Sequence, residues 1–218
     1  MVGTPMTSTA ERLPGELEDP GVPGGRGERM LRQLRFLYEP CARFIAAQGH
    51  SRPVVLDVGT GSGITLERIR ERLPEVRAIG LDLRGEPMTL GAPGLFFARA
   101  DASALPLADQ SIDFVVCRSS FCYCEDQPRV LREMLRVLRP GGALYIMDST
   151  RGPVRRLLVI AIGMVLLRRS YQDMAGFADR ALSRRQLQES LAAAGIADFA
   201  YRTRFLGTYF ELVVRKRS

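Results

Sequence analysis

The chain has 218 residues, 46% of them hydrophobic and 25% charged. These values are those of an ordinary globular domain and exclude a wholly disordered, collagenous or coiled-coil chain. The longest apolar run, Leu157 to Leu167, spans 11 residues and falls short of the roughly 20 that a bilayer-crossing helix needs. A formal charge of +7 is carried almost entirely by Arg, with Lys216 as the single Lys. The basic residues are scattered in pairs and accompany no nucleic-acid-reading motif, so nucleic acid is not the expected partner. Cys41, Cys117, Cys122 and Cys124 lack zinc-ribbon spacing, no signal peptide opens the sequence, and a reducing cytoplasm is expected.

In chain order, residues 1–27 carry six Gly and four Pro without apolar periodicity and read as a flexible leader unable to offset its ordering entropy. Residues 28–49 place Leu34, Leu37, Cys41 and Ile45 at helical spacing and stop at Gly49, which predicts one amphipathic cover helix. From Pro53, apolar runs alternate with helical segments: VVLDV at 54–58, AIGLDL at 78–83, LFFARA at 95–100, IDFVVC at 112–117 and ALYIMD at 143–148. Runs apolar on both faces and joined by helical crossovers indicate a parallel sheet between helix layers, an α/β doubly wound core. Crossover helices fit 63–72 and 127–138, while 83–94 has room only for a short or irregular one. Ser183 and Gln186 form a capping-box pattern before a helix that ends at Gly195, and a closing antiparallel hairpin follows.

The first strand runs into Gly59, Thr60, Gly61 and Gly63, a glycine turn that opens a helix. Glycines there let the backbone approach a ligand where a Cβ would block it. Ile64 stands where a nicotinamide fingerprint wants its third Gly. Asp82, ending the second strand, is placed to accept hydrogen bonds from ribose hydroxyls. Asp101, followed by Ala102 after the third strand, can accept from an adenine amino group while the alanine packs on the ring.

VLDVGTGSG at 55–63, GLDL with Asp82, ADASALPLADQSIDFVV at 100–116 and LREMLRVLRPGGALYIMD at 131–148 resemble class I S-adenosylmethionine-dependent methyltransferases. The likeness is to the small-molecule branch similar to the ubiquinone and menaquinone biosynthesis enzymes. The resemblance implies a Rossmann-like, mostly parallel seven-stranded sheet with helices on both faces, an antiparallel C-terminal hairpin and a helical cap after the fifth strand. The implied organisation is a single domain over 28–218 with a cap insertion at 153–180. S-adenosyl-L-methionine is the implied cofactor, and S-adenosyl-L-homocysteine its product. Gly59, Thr60, Gly61 and Gly63 would shape the turn beneath its methionine part, with Asp57 positioning that turn or the amino group. Asp82 and Leu83 would hold the ribose, Asp101 and Ala102 the adenine, and Arg118 the methionine portion. No metal is implied.

In-line methyl transfer can proceed by alignment and exclusion of water, without an acid or base. If the acceptor must first lose a proton, Tyr123, Asp148, Tyr38 and Tyr171 are candidates by position. His50, the one His, is expected at the opposite end of the sheet. The Cys117–Cys124 cluster offers soft-metal or metalloid ligands, against which stands the habit of free Cys as a small buried hydrophobe. Residues 154–169 are apolar on all sides and bracketed by Arg pairs, so they should be buried. The favoured reading is a cap lining a pocket for a lipophilic small molecule. Membrane-surface anchoring and a dimer contact are the alternatives, the oligomer being a monomer or homodimer. Rival functions are a peripheral phospholipid-type N-methyltransferase and a cofactor-binding protein without transfer.

Overall fold

A computed structural model describes residues 35–83, 94–166 and 178–217. A short 3-10 turn (Arg35–Tyr38) leads into α1 (Glu39–Ala46), followed by β1 (Val54–Val58), α2 (Ile64–Arg72), β2 (Arg77–Asp82) and β3 (Leu95–Arg99). Then come β4 (Ile112–Arg118), a 3-10 turn (Phe121–Tyr123), α3 (Gln127–Val137), β5 (Leu138–Ser149), α4 (Pro153–Leu166), α5 (Arg184–Ala193), β6 (Ala200–Arg204) and β7 (Tyr209–Arg215). The expected leader, the start of the cover helix, the 84–93 crossover and most of the cap beyond α4, including Tyr171, lie outside the described residues.

The strands form one seven-stranded sheet in the order β3-β2-β1-β4-β5-β7-β6. β1 to β5 run parallel, and β7 lies antiparallel between β5 and β6. The side chains of a strand alternate between faces, and both faces are covered. Val55, Phe114, Val116, Tyr145 and Met147 pack on α1 and α2 through Cys41, Ile45, Leu66 and Ile69. Leu56, Val115, Cys117, Leu144 and Ile146 pack on α3 and α5 through Leu131, Met134, Leu187 and Leu191. The both-faces-apolar pattern of the sequence thus has its origin in two helix layers.

Two expectations are corrected. The continuous cover helix breaks at Glu39, because Pro40 sits in its first turn, where its missing N–H is harmless. The apolar stretch at 154–169 was expected to be buried, yet along α4 Val154, Leu157, Leu158 and Met164 are exposed. Among the residues of α4 whose side chains are described, the buried one is Arg155, which donates to the Ala178 carbonyl at 2.9 Å. A polar anchor docks this helix, and an apolar stripe is left facing outward. The Ser183–Gln186 capping box is formed as expected.

Candidate active site at the sheet switch point

Strand order reverses between β1 and β4, and in open α/β sheets the crevice outside the carboxyl ends at such a point holds the ligand. Gly59, Gly61 and Gly63 all take positive φ there, at 71°, 50° and 78°, where L side chains are strained. Gly59 N–H and Thr60 N–H both donate to the Leu81 carbonyl, at 2.7 and 3.1 Å. Gly61 N–H donates to Asp82 Oδ2 at 2.9 Å. The turn is therefore held from β2, and the strand-end acid is one of the groups holding it.

Ser120, which the sequence did not single out, closes the other side. Its hydroxyl donates to the Val58 carbonyl at 2.9 Å, and a Cβ on Gly59 would stand 2.3 Å from Ser120 Cβ. Gly80 was likewise unremarked; a Cβ there would meet Thr60 Cγ2 at 2.8 Å. Both contacts are long-range, so spacing alone carries no signal of them.

Beneath the turn lies Asp57, fully buried. Burial pushes its carboxyl up to about 7, and the negative charge of Asp82 adds to this; the Thr60 and Thr65 hydroxyls and Arg118 pull the other way. The Thr60 and Thr65 hydroxyls stand near the Asp57 carboxyl, yet no hydrogen bond of full geometry reaches either Asp57 oxygen, the buried Thr60 Oγ1 or Arg118 Nε. Buried polar groups are nearly always satisfied. Three orphaned groups grouped at the switch point mark a place built to meet a polar ligand.

Arg118 ends β4, nearly buried, with its guanidinium 3.6 Å from the Tyr38 ring centroid and 6.0 Å from that of Tyr209. Tyr38, just ahead of α1, thereby covers the site by a cation–π contact. Burial raises its hydroxyl's pKa, with Arg118 opposing. Tyr209, also missed in the sequence, pairs with Ser149 at the end of β5.

Toward β3 the cleft opens. Leu83 is exposed beside Asp82, and its carbonyl accepts from Arg99 Nε at 2.8 Å. Asp101 is exposed and accepts from Ser103 N–H at 2.8 Å, a bond that holds its carboxyl below the usual range. Ala102 packs partly against the core. The glycine turn, Asp82 and Asp101 thus occupy successive strand ends on one edge of the sheet.

The base candidates diverge. Asp148 is fully buried; its Oδ2 accepts from Cys122 N–H at 2.9 Å and its Oδ1 from Ser149 N–H at 2.6 Å. Burial raises its pKa; Oδ2 holds the turn after β4, and Oδ1 is taken by the next residue of β5. Tyr123 sits on that turn, partly exposed, with the Arg180 guanidinium 5.3 Å from its ring. His50 packs edge-on against Phe114 and lines an open concavity of about 550 Å³ with Arg52, Asp113 and Arg139, at the opposite end of the strands. Among the described residues no group of three His, Cys, Asp or Glu could hold a metal.

Residues 56–146 match the family model described as a methyltransferase domain. Over that stretch the chain is similar to methyltransferase domains. A malonyl-[acyl-carrier protein] O-methyltransferase of Methylococcus capsulatus is 30% identical over 177 residues, covering 78% of this chain and 57% of the relative. A demethylmenaquinone methyltransferase of Deinococcus radiodurans is 38% identical over 109 residues, covering 47% of this chain and 45% of the relative. The chain spans about half the length of these curated relatives. The crystal structure of a SAM-dependent methyltransferase from Aquifex aeolicus superposes with a TM-score of 0.58 at 18% identity, covering 80% of this chain and 88% of the other. The fold is the Rossmann-like methyltransferase fold.

Proposed function

We propose that the protein transfers the methyl group of S-adenosyl-L-methionine to an O, N or C atom of a small lipophilic molecule, as a cytoplasmic enzyme. The observation that carries this reading is the orphaned set of Asp57, Thr60 and Arg118 beneath the glycine turn, with Asp82 and Asp101 at the next two strand ends. Asp57 and Arg118 offer opposite charges suited to the ammonium and carboxylate of an amino acid. Asp82 offers acceptor lone pairs to vicinal hydroxyls, and Asp101 with Ala102 offers an acceptor and an apolar contact to an adenine.

When bound, the cofactor supplies an electrophilic methyl on a sulfonium, whose positive charge is lost as the methyl leaves. Tyr38 and Arg118 cover the buried end of the site and keep water from it. Gly59 and Gly61 let the backbone come close enough to orient what lies above. A deprotonating group is not required where the acceptor is already nucleophilic, and both oxygens of Asp148 are engaged elsewhere. The relatives named for malonyl-[acyl-carrier protein] and demethylmenaquinone support an acceptor that is small or carries an acyl or isoprenoid body.

The test is incubation of the purified protein and methyl-labelled S-adenosyl-L-methionine with a desalted extract supplemented with its own organic-soluble fraction, then partition of the label. Label in the organic phase supports the reading. Label confined to protein or nucleic acid contradicts it.

A further inference from the structure

Apart from Leu83 and Phe96 on the β2–β3 side, the exposed large apolar groups among the described residues gather at the edge of the sheet where β4 and β5 end. On α4, Val154, Leu157, Leu158, Ala161 and Met164 recur at i, i+3, i+4, i+7 and i+10 and are all exposed, Leu157 by 70%. That spacing is one face of a helix, and at a rise of 1.5 Å per residue the stripe from Val154 to Met164 is about 15 Å long. Leu206, at the turn between β6 and β7, is 92% exposed. Phe205, Leu206 and Gly207 all take positive φ there. Two non-glycine residues in that region carry strain, so the turn presents a leucine to the outside at some cost.

This turn lies beside the start of α4. Thr150 N–H donates to the Thr208 carbonyl at 3.0 Å, and the Thr150 hydroxyl donates to the Gly207 carbonyl. Tyr123, partly exposed, belongs to the same edge through the bond from Cys122 to Asp148.

Arginine predominates around this surface: between Asp148 and Asp173 the sequence holds five Arg and no acid, of which Arg155 is buried, Arg156 pairs with Asp179, and residues 168 and 169 lie outside the described residues. The described partners of Arg151 are the carbonyls of Ala181 and Asp179, and Arg180 rests over the Tyr123 ring. These contacts leave guanidinium charge for an external anion. Apolar side chains between arginines suit the boundary of a bilayer, where the former enter the acyl region and the latter meet phosphates. A second copy of the chain would instead bring the same excess of Arg to the contact.

We infer that α4 and the Leu206 turn dock on the surface of an anionic phospholipid bilayer, presenting the strand-end cleft to the membrane. The inference rests on the reading of the acceptor as lipophilic, which it deepens by naming where the acceptor is met.

The experiment is co-sedimentation with vesicles of phosphatidylglycerol and phosphatidylcholine in equal parts, compared with pure phosphatidylcholine. Leu157→Glu and Leu206→Glu are added singly and together. Both sites are exposed, and thermal melting together with S-adenosyl-L-methionine binding confirms that each variant is folded. The expected result is binding to the anionic vesicles that weakens with added salt and falls at least tenfold in the double variant. Absence of binding, binding unaltered in the double variant, or self-association abolished by the substitutions without lipid binding would overturn it. Cofactor binding on the same samples keeps the two readings separable, since vesicle binding without cofactor binding refutes the function and leaves the surface standing.

Discussion

Asp82 Oδ2 accepts the Gly61 N–H at 2.9 Å, so the acid at the end of β2 and the glycine turn after β1 form one unit. A carboxylate can accept several hydrogen bonds, and on the proposed reading Asp82 also accepts from the cofactor's ribose hydroxyls. Asp82→Ala removes both functions, and S-adenosyl-L-methionine affinity should fall at least tenfold, about 1.4 kcal/mol. Asp82→Asn keeps an oxygen for Gly61, so its melting temperature should stay closer to that of the wild type. Calorimetry and thermal melting separate the two, and equal affinity in the Ala variant would remove Asp82 from the cofactor site.

Burial pushes the Asp57 carboxyl up to about 7 from its ordinary 3.8. A carboxyl raised in the folded state binds its proton more tightly there than in the unfolded chain. Its contribution to stability is full below about pH 4 and is lost as pH rises through 7. Stability of the ligand-free protein should therefore drop across that window, and Asp57→Asn should flatten the slope. A bound ammonium favours the ionised carboxylate, so cofactor binding at pH 6 should release a fraction of a proton. Calorimetry in two buffers of different ionisation enthalpy measures this, and zero release in the wild type would show that Asp57 does not meet the ammonium.

At Gly59 a Cβ would stand 2.3 Å from Ser120 Cβ, on a backbone with φ of 71°. Gly59→Ala should cost about 2–4 kcal/mol, combining left-handed strain with overpacking. Adding Ser120→Gly should restore part of it despite the loss of the bond to Val58. Denaturant unfolding of the four proteins of the cycle gives the coupling, and simple additivity would contradict the contact.

All four thiols should be slow to alkylate in the native protein. Burial raises Cys41 and Cys117 well above the thiol range and Cys122 likewise, and pushes Cys124 up to about 12. The thiolate is the reactive form. Mass spectrometry after iodoacetamide at pH 8 should find little labelling in the folded state and complete labelling in guanidinium. Rapid native labelling of Cys122 or Cys124 would revive thiophilic chemistry on the loop after β4.

The strands were legible because Val55 and Leu56, or Phe114 and Val115, face opposite helix layers and so read as unbroken apolar runs. The Ser183 cap was legible because its bonds are local in sequence, and the glycine turn because positive φ is a local demand, although its hydrogen bonds reach to Leu81 and Asp82. Ser120 against Gly59 and Tyr38 over Arg118 were not, because each joins segments that only the sheet order brings together. The apolar stretch of α4 misled for a different reason. Composition states that such a helix wants cover, but not whether the protein, a partner or a membrane supplies it.

The most direct measurement is equilibrium dialysis of methyl-labelled S-adenosyl-L-methionine against the purified protein, with S-adenosyl-L-homocysteine as competitor. The expected result is one saturable site per chain, emptied by the competitor and weakened in Asp82→Ala. Binding that does not saturate, or saturable binding indifferent to that substitution, would contradict the placement of the cofactor at the β1–β4 switch point.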